Sequence, residues 1–140
     1  MTATATAPTL LEIPHLFFMG QDRLKGPFPP ELLAPDYQAE VAGFPPMDAE
    51  GHAAFARVFY AAFPDIHHTL DEVVATDDGA AVRFTLRGTH TGDFMGIAPT
   101  GRAITVSAIV LLAIADGRVA RLRAIFDRFG LMQQIGVIPA

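Results

Sequence analysis

The sequence predicts an α+β domain in which helices come first and an antiparallel sheet follows. Three observations carry this. Nine of the eleven prolines lie at or before Pro64, so the first part of the chain is read as loops and helices with little room for central strands. Beyond Pro64 only Pro99 interrupts the chain before Pro139, and long runs there have strand-like alternation. Between those runs stand Asp77-Asp78-Gly79 and Asp116-Gly117, which are tight-turn signals. Helices followed by consecutive antiparallel strands is the pattern of helices packed on one side of a sheet.

In chain order, residues 1–8 are expected to be a disordered tail, and residues 9–140 a single domain. A helix is expected to start at or after Pro14, because proline is tolerated in a first turn. Pro27 to Pro30 reads as an extended loop, and Glu31 to Leu33 as one short turn. Asp48 to Phe63 is the clearest helix: Asp48 can cap it, and Phe55, Val58, Phe59, Ala62 and Phe63 recur at helical spacing on one face. Strands are expected over Ile66–Thr76, Ala80–Thr89, Arg102–Ala115 and Arg118–Phe126, with a loop over Gly92–Gly101. Leu131–Ile135 is expected to close the chain as a short turn.

Composition narrows the function classes. Of 140 residues, 51% are hydrophobic, which excludes a disordered chain and leaves apolar surface for an internal cavity, a subunit interface, or both. The formal net charge is −5, with Lys25 the only lysine and no basic run. Nucleic acid is therefore not an expected partner, since phosphates need a positive face. The apolar run Ile104–Ala115 is too short to span a bilayer, and the first residues lack a basic and apolar leader, so neither membrane nor export is expected. With no cysteine, thiolate metal sites and a cysteine nucleophile are excluded, and a cytoplasmic location is expected. His67 and His68 are strand neighbours pointing to opposite faces, so no metal site is expected. His15 and His52 read as surface or helix-packing residues.

Phe63-Pro-Asp65, Gly88-Thr-His-Thr-Gly-Asp-Phe-Met-Gly96, Pro99-Thr-Gly-Arg102, Asp116-Gly117 and Asp127-Arg-Phe-Gly-Leu-Met-Gln-Gln-Ile-Gly136, taken in order, resemble the SnoaL-like polyketide cyclases, or ester cyclases, of the NTF2-like superfamily. The resemblance implies a cone: a curved antiparallel sheet wrapped by N-terminal helices around an apolar pocket. It also implies acid–base catalysis by a pocket carboxyl group, without a cofactor, and a homodimer or homotetramer.

The carboxyl group matched by the resemblance is Asp127. Its neighbours Ile125, Phe126 and Phe129 would desolvate it and raise its pKa towards a useful range; the other reading is an ion pair with Arg128 or a cap on the Gly130–Ile135 turn. His90 is a second candidate, as a carbonyl polariser or as a loop residue bonding backbone. Strand alternation puts Arg123 on the face of Asp127, where it would bind the substrate or lower the acid's pKa. Phe94, Met95 and Met132 are core or pocket-mouth residues, and Glu40 is a second carboxyl that would be in the pocket or at the surface. The expected activity is aldol cyclisation, isomerisation or hydration of an apolar carbonyl compound. The alternatives are a non-catalytic binder of a hydrophobic small molecule and an NTF2-like oligomerisation domain.

Overall fold

The computed structural model describes residues 7–139, so most of the expected tail, residues 1–6, lies outside the described residues. Helix α1 spans Ile13–Leu24, with Pro14 in its first turn. Lys25, in the left-handed conformation (φ 56°), ends it, and the Lys25 Nζ donates to the Pro64 carbonyl at 2.6 Å. Pro30–Leu32 makes one 3-10 turn. Helix α2 is Ala49–Ala62, and Asp48 caps it by accepting from the Gly51 N–H at 2.8 Å. A short helix, α3, covers Arg128–Gln134.

Strands β1 (Leu33–Val41), β2 (Met47–Asp48), β3 (His67–Ala75), β4 (Gly79–Thr89), β5 (Ala103–Ala115) and β6 (Arg118–Phe126) form one curved sheet in the order β2-β1-β6-β5-β4-β3. Expected and observed strands agree after Pro64. Before it the expectation is corrected, because β1 is a strand that pairs parallel with β6 on one side and antiparallel with β2 on the other. Pro35 is accommodated where that ladder breaks: pairing runs from Leu33↔Val119 to Gln38↔Arg121, so six residues of β1 span three of β6. A residue without an N–H is tolerated at such a bulge.

Alternation divides β4, β5 and β6 between two faces. Val82, Phe84, Val106, Ala108, Val110, Leu112 and Leu122 are buried, whereas Ile109, Leu111 and Ile125 on the other face are exposed. Helices cover the first face. Phe17, Phe18 and Phe28 pack there with Phe84 and Val110 in one apolar cluster, and Phe63, Phe94, Ile104, Leu131 and Ile135 form a second. The loop before β5 is tied to α2, because the Thr91 and Gly92 N–H groups both donate to the Ala62 carbonyl. Gly92 is required there, since a Cβ would run into the Ala61 carbonyl.

Candidate active site

The two apolar clusters leave a cavity of about 110 Å³ between the sheet and helices α1 and α2. Its sheet wall is Phe84, Leu86, Val106, Ala108, Val110, Leu122, Ala124 and Phe126. Among the described residues, no Asp, Glu, Lys or Arg lines it. Its polar side chains are Gln21, His52, Tyr60 and His68.

Helical spacing brings three of these four to one place. On α1, Phe18, Gln21 and Asp22 fall at i, i+3 and i+4, so Gln21 and Asp22 share the helix face that Phe18 buries. On α2, His52, Phe55, Ala56, Phe59 and Tyr60 repeat at the same spacing, and all line the cavity. Of the expected α2 stripe, Ala62 and Phe63 are buried and Phe55 and Phe59 line the cavity, but Val58 is exposed; His52, Ala53, Ala56 and Tyr60 widen the buried face. The fourth, His68, comes from β3 by alternation: its side chain is 6% exposed, whereas that of His67 is 69% exposed.

Asp22 organises the first polar cluster. The Tyr60 hydroxyl donates to its Oδ1 at 2.6 Å, and the His68 backbone N–H donates to its Oδ2 at 2.9 Å. His68 Nδ1 lies 2.7 Å from Oδ1. Burial pushes the Asp22 carboxyl up, but the His68 hydrogen bond and charge, its backbone N–H and the Tyr60 hydroxyl together outweigh it. The net result lies below the ordinary value. Asp22 is therefore a carboxylate, an acceptor only, and His68 must carry a proton on Nδ1. Tyr60 stays a phenol because burial, then the hydrogen bond to Asp22, raises its pKa. His68 lines the cavity, and its Nε2, which makes no hydrogen bond among the described residues, is not fully enclosed by protein atoms. The rings of Phe18 and Phe84 hold the imidazole, with centroids at 5.2 and 4.8 Å.

The second polar pair is Tyr37 and His52. The Tyr37 hydroxyl lies 2.8 Å from His52 Nδ1, and both side chains are buried. Burial lowers the His52 pKa to about 4, so its ring is neutral near pH 7.

The structure separates the expected site residues from this cavity. Asp127 follows the last residue of β6 and is exposed. Its side chain accepts from the Gly130 N–H at 2.9 Å and caps α3. The β6 positions that reach the cavity are Leu122, Ala124 and Phe126, none of them ionisable. The expectation of a desolvated, pocket-facing Asp127 is corrected on that geometry. Arg123 and Glu40 are neighbours on the opposite face of the sheet, where Glu40 pairs with Arg121 at 2.7 Å. Arg123 and Asp127 do not meet in a pocket, because the chain leaves the strand between them. His90 is fully buried but holds the loop instead: Nδ1 meets Thr100 Oγ1 at 2.9 Å and accepts from the Thr100 N–H at 3.2 Å. Phe94 and Met132 pack in the second apolar cluster, and Met95 is exposed with φ 49°.

Sequence reasoning missed Asp22, Tyr60 and His52. A signal for the last two was present, since His52 and Tyr60 lie eight residues apart on the helical repeat that Phe55, Ala56 and Phe59 complete. Asp22 had no local signal, because its partners lie in α2 and β3.

Comparison with known proteins agrees with this fold. Residues 27–135 match the family model described as SnoaL-like polyketide cyclase. Over 59 residues the chain is 37% identical to the aklanonic acid methyl ester cyclase AcmA of Streptomyces galilaeus. That match covers 42% of this chain and 41% of the enzyme, so it spans well under half of either. A protein assigned as a SnoaL-like polyketide cyclase from Jannaschia sp. CCS1 superposes with a TM-score of 0.79 at 22% identity, over 99% of this chain and 100% of that one. IdmH of Streptomyces antibioticus, assigned as a polyketide cyclase, gives a TM-score of 0.71 at 31% identity, over 87% and 91% of the two chains. A ketosteroid isomerase-like protein of Catenulispora acidiphila shares the fold at 15% identity, with a TM-score of 0.68 over 94% of this chain and 95% of that one.

Proposed function

Since the chain belongs to the SnoaL-like polyketide cyclase family, we propose that it is an acid–base enzyme of the cyclase type, acting on an apolar carbonyl compound with His68 as its proton carrier. The observation that supports this is the Asp22–His68 pair, at 2.7 Å, with its free imidazole edge facing an otherwise apolar cavity. In the neutral ring the Asp22 contact puts the proton on Nδ1, so Nε2 then carries a lone pair and accepts a proton from a carbon next to a carbonyl. The electron pair of that C–H bond becomes an enolate. The imidazolium formed stays beside the Asp22 carboxylate, which offsets its charge against a largely apolar wall. In an aldol closure the enolate carbon then bonds to a second carbonyl carbon, and the proton returns from Nε2 to the new alkoxide. Only proton transfers and one C–C bond are needed.

The test is deuterium exchange into the α-carbon of apolar ketones in D2O, followed by NMR, together with ring closure of aklanonic acid methyl ester. Removing a positioned general base costs roughly 10²- to 10⁴-fold, so His68→Gln and Asp22→Asn should lower the rate by about that factor while the protein remains folded. Wild-type rates in both variants would refute the assignment. A second reading, storage of a hydrophobic molecule, is favoured by the lack of any charged side chain on the cavity wall. It predicts ligand-induced thermal stabilisation that His68→Gln leaves intact, with no exchange in the wild type.

A further inference from the structure

The cavity holds two histidines, and the hydrogen bonds around them fix opposite tautomers. Asp22 is an acceptor only, so the neutral His68 ring has its proton on Nδ1 and a lone pair on Nε2. Tyr37 is the reverse case. Its buried hydroxyl has one proton to donate, and among the described residues its one hydrogen-bond partner is His52 Nδ1, at 2.8 Å. Were Nδ1 protonated, the phenol O–H would be left buried and unpaired, at a cost of about 1–3 kcal/mol. The phenol therefore donates, Nδ1 accepts, and the single proton of the neutral His52 ring sits on Nε2. His52 lines the cavity and Tyr37 does not; the tyrosine occupies Nδ1, and Nε2 is not fully enclosed by protein atoms. No hydrogen bond engages that Nε2 among the described residues.

We propose that His52 Nε2–H is the oxygen-binding donor of the cavity: it holds a carbonyl or enolate oxygen of the ligand, and Tyr37 positions it by fixing the tautomer. The two histidines lie along one aromatic wall. Phe28 contacts the His52 ring, Phe18 contacts Phe28, and His68 contacts Phe18, with centroids 5.3, 5.8 and 5.2 Å apart. The ligand presents a C–H to one end of this wall and an oxygen to the other. This selects an apolar compound with an oxygen acceptor set away from the reacting carbon, and it disfavours a pure hydrocarbon. A neutral donor suits this task, because it gives a hydrogen bond to a developing negative oxygen without first losing a proton to it. The inference rests on the cavity being the ligand site, as in the proposed function, but it concerns a different residue from the proton carrier.

Two measurements test it. Long-range ¹H–¹⁵N spectra of the full chain at pH 7 should show His52 protonated at Nε2 and bare at Nδ1, and Tyr37→Phe should give a mixture of tautomers. A wild-type His52 protonated at Nδ1 overturns the proposal. The second measurement is the affinity ratio of acetophenone to ethylbenzene, two single-ring probes differing in one oxygen. One neutral hydrogen bond corresponds to roughly 3- to 10-fold, so the ratio should fall by about that factor in His52→Leu and stay unchanged in Asp127→Asn, which lies outside the cavity. An unchanged ratio in His52→Leu, or no binding of either probe to the wild type, overturns it. Loss of exchange in Asp22→Asn is read separately, so the His68 assignment and the His52 assignment fail on different results.

Discussion

Acid should destabilise this protein through one identifiable histidine. Burial lowers the His52 pKa from 6.5 to about 4, and no charged neighbour contributes to the shift. The unfolded chain binds a proton at His52 below about pH 6.5, while the folded chain resists until about pH 4. The stability linked to the neutral ring is thus complete above the unfolded value and is lost as pH falls towards the folded one. The shift of about 2.5 units is worth roughly 3 kcal/mol, of which about 2 kcal/mol is gone by pH 5. Asp22 and Asp65 act lower down. Both carboxyls are held below their ordinary value of 3.8, so their contributions are complete above that value and are lost only in stronger acid. The assay is urea unfolding at pH steps from 7.5 to 4, on wild type and His52→Gln. The variant is expected to be less stable at neutral pH, because Tyr37 loses its partner, and to lose about 3 kcal/mol less across the window. Equal losses in the two proteins would refute burial of a neutral His52.

Tyr60→Phe removes one of the donors that hold the Asp22 carboxylate. A hydrogen bond to a charged group is worth about 1.5–3 kcal/mol, so urea unfolding should show a loss of that order, with His68 still in place. Asp127→Asn should leave turnover unchanged and stability within about 0.5 kcal/mol, because asparagine caps a helix as well as aspartate does. A loss of turnover in that variant would restore Asp127 to the chemistry.

Much of the fold was legible because it depends on local patterns. Period-two alternation over β4, β5 and β6 is a property of the strand itself, and glycine turns and the Asp48 cap act within a few residues. The family resemblance rests on such segments too, and the match over residues 27–135 bears it out. Less legible was β1. Pro35 argued against a strand, yet the bulge opposite β6 absorbs its missing N–H, and a bulge exists only once the partner strand is in register.

The site divides along the same line. From sequence alone, His68 was assigned the face opposite His67, because neighbours on a strand must diverge. The resemblance also brought Asp127 forward, as an acid at the end of an apolar strand. Whether that acid turned inward depended on where the strand ended, and β6 ends at Phe126, leaving Asp127 to cap α3 in solvent. The residues that do meet in or beside the cavity come from α1, β1, α2 and β3. Asp22, Tyr37, His52, Tyr60 and His68 each look ordinary in the chain. Their roles arise from hydrogen bonds closed over long sequence separations, in a space that the packed aromatic rings keep apolar. Sequence by itself determined the four strands after Pro64, their turns and the family. Tertiary structure decided which titratable groups were brought together and which tautomer each histidine adopts, because burial and hydrogen-bond partners fix both and neither is a property of neighbouring residues.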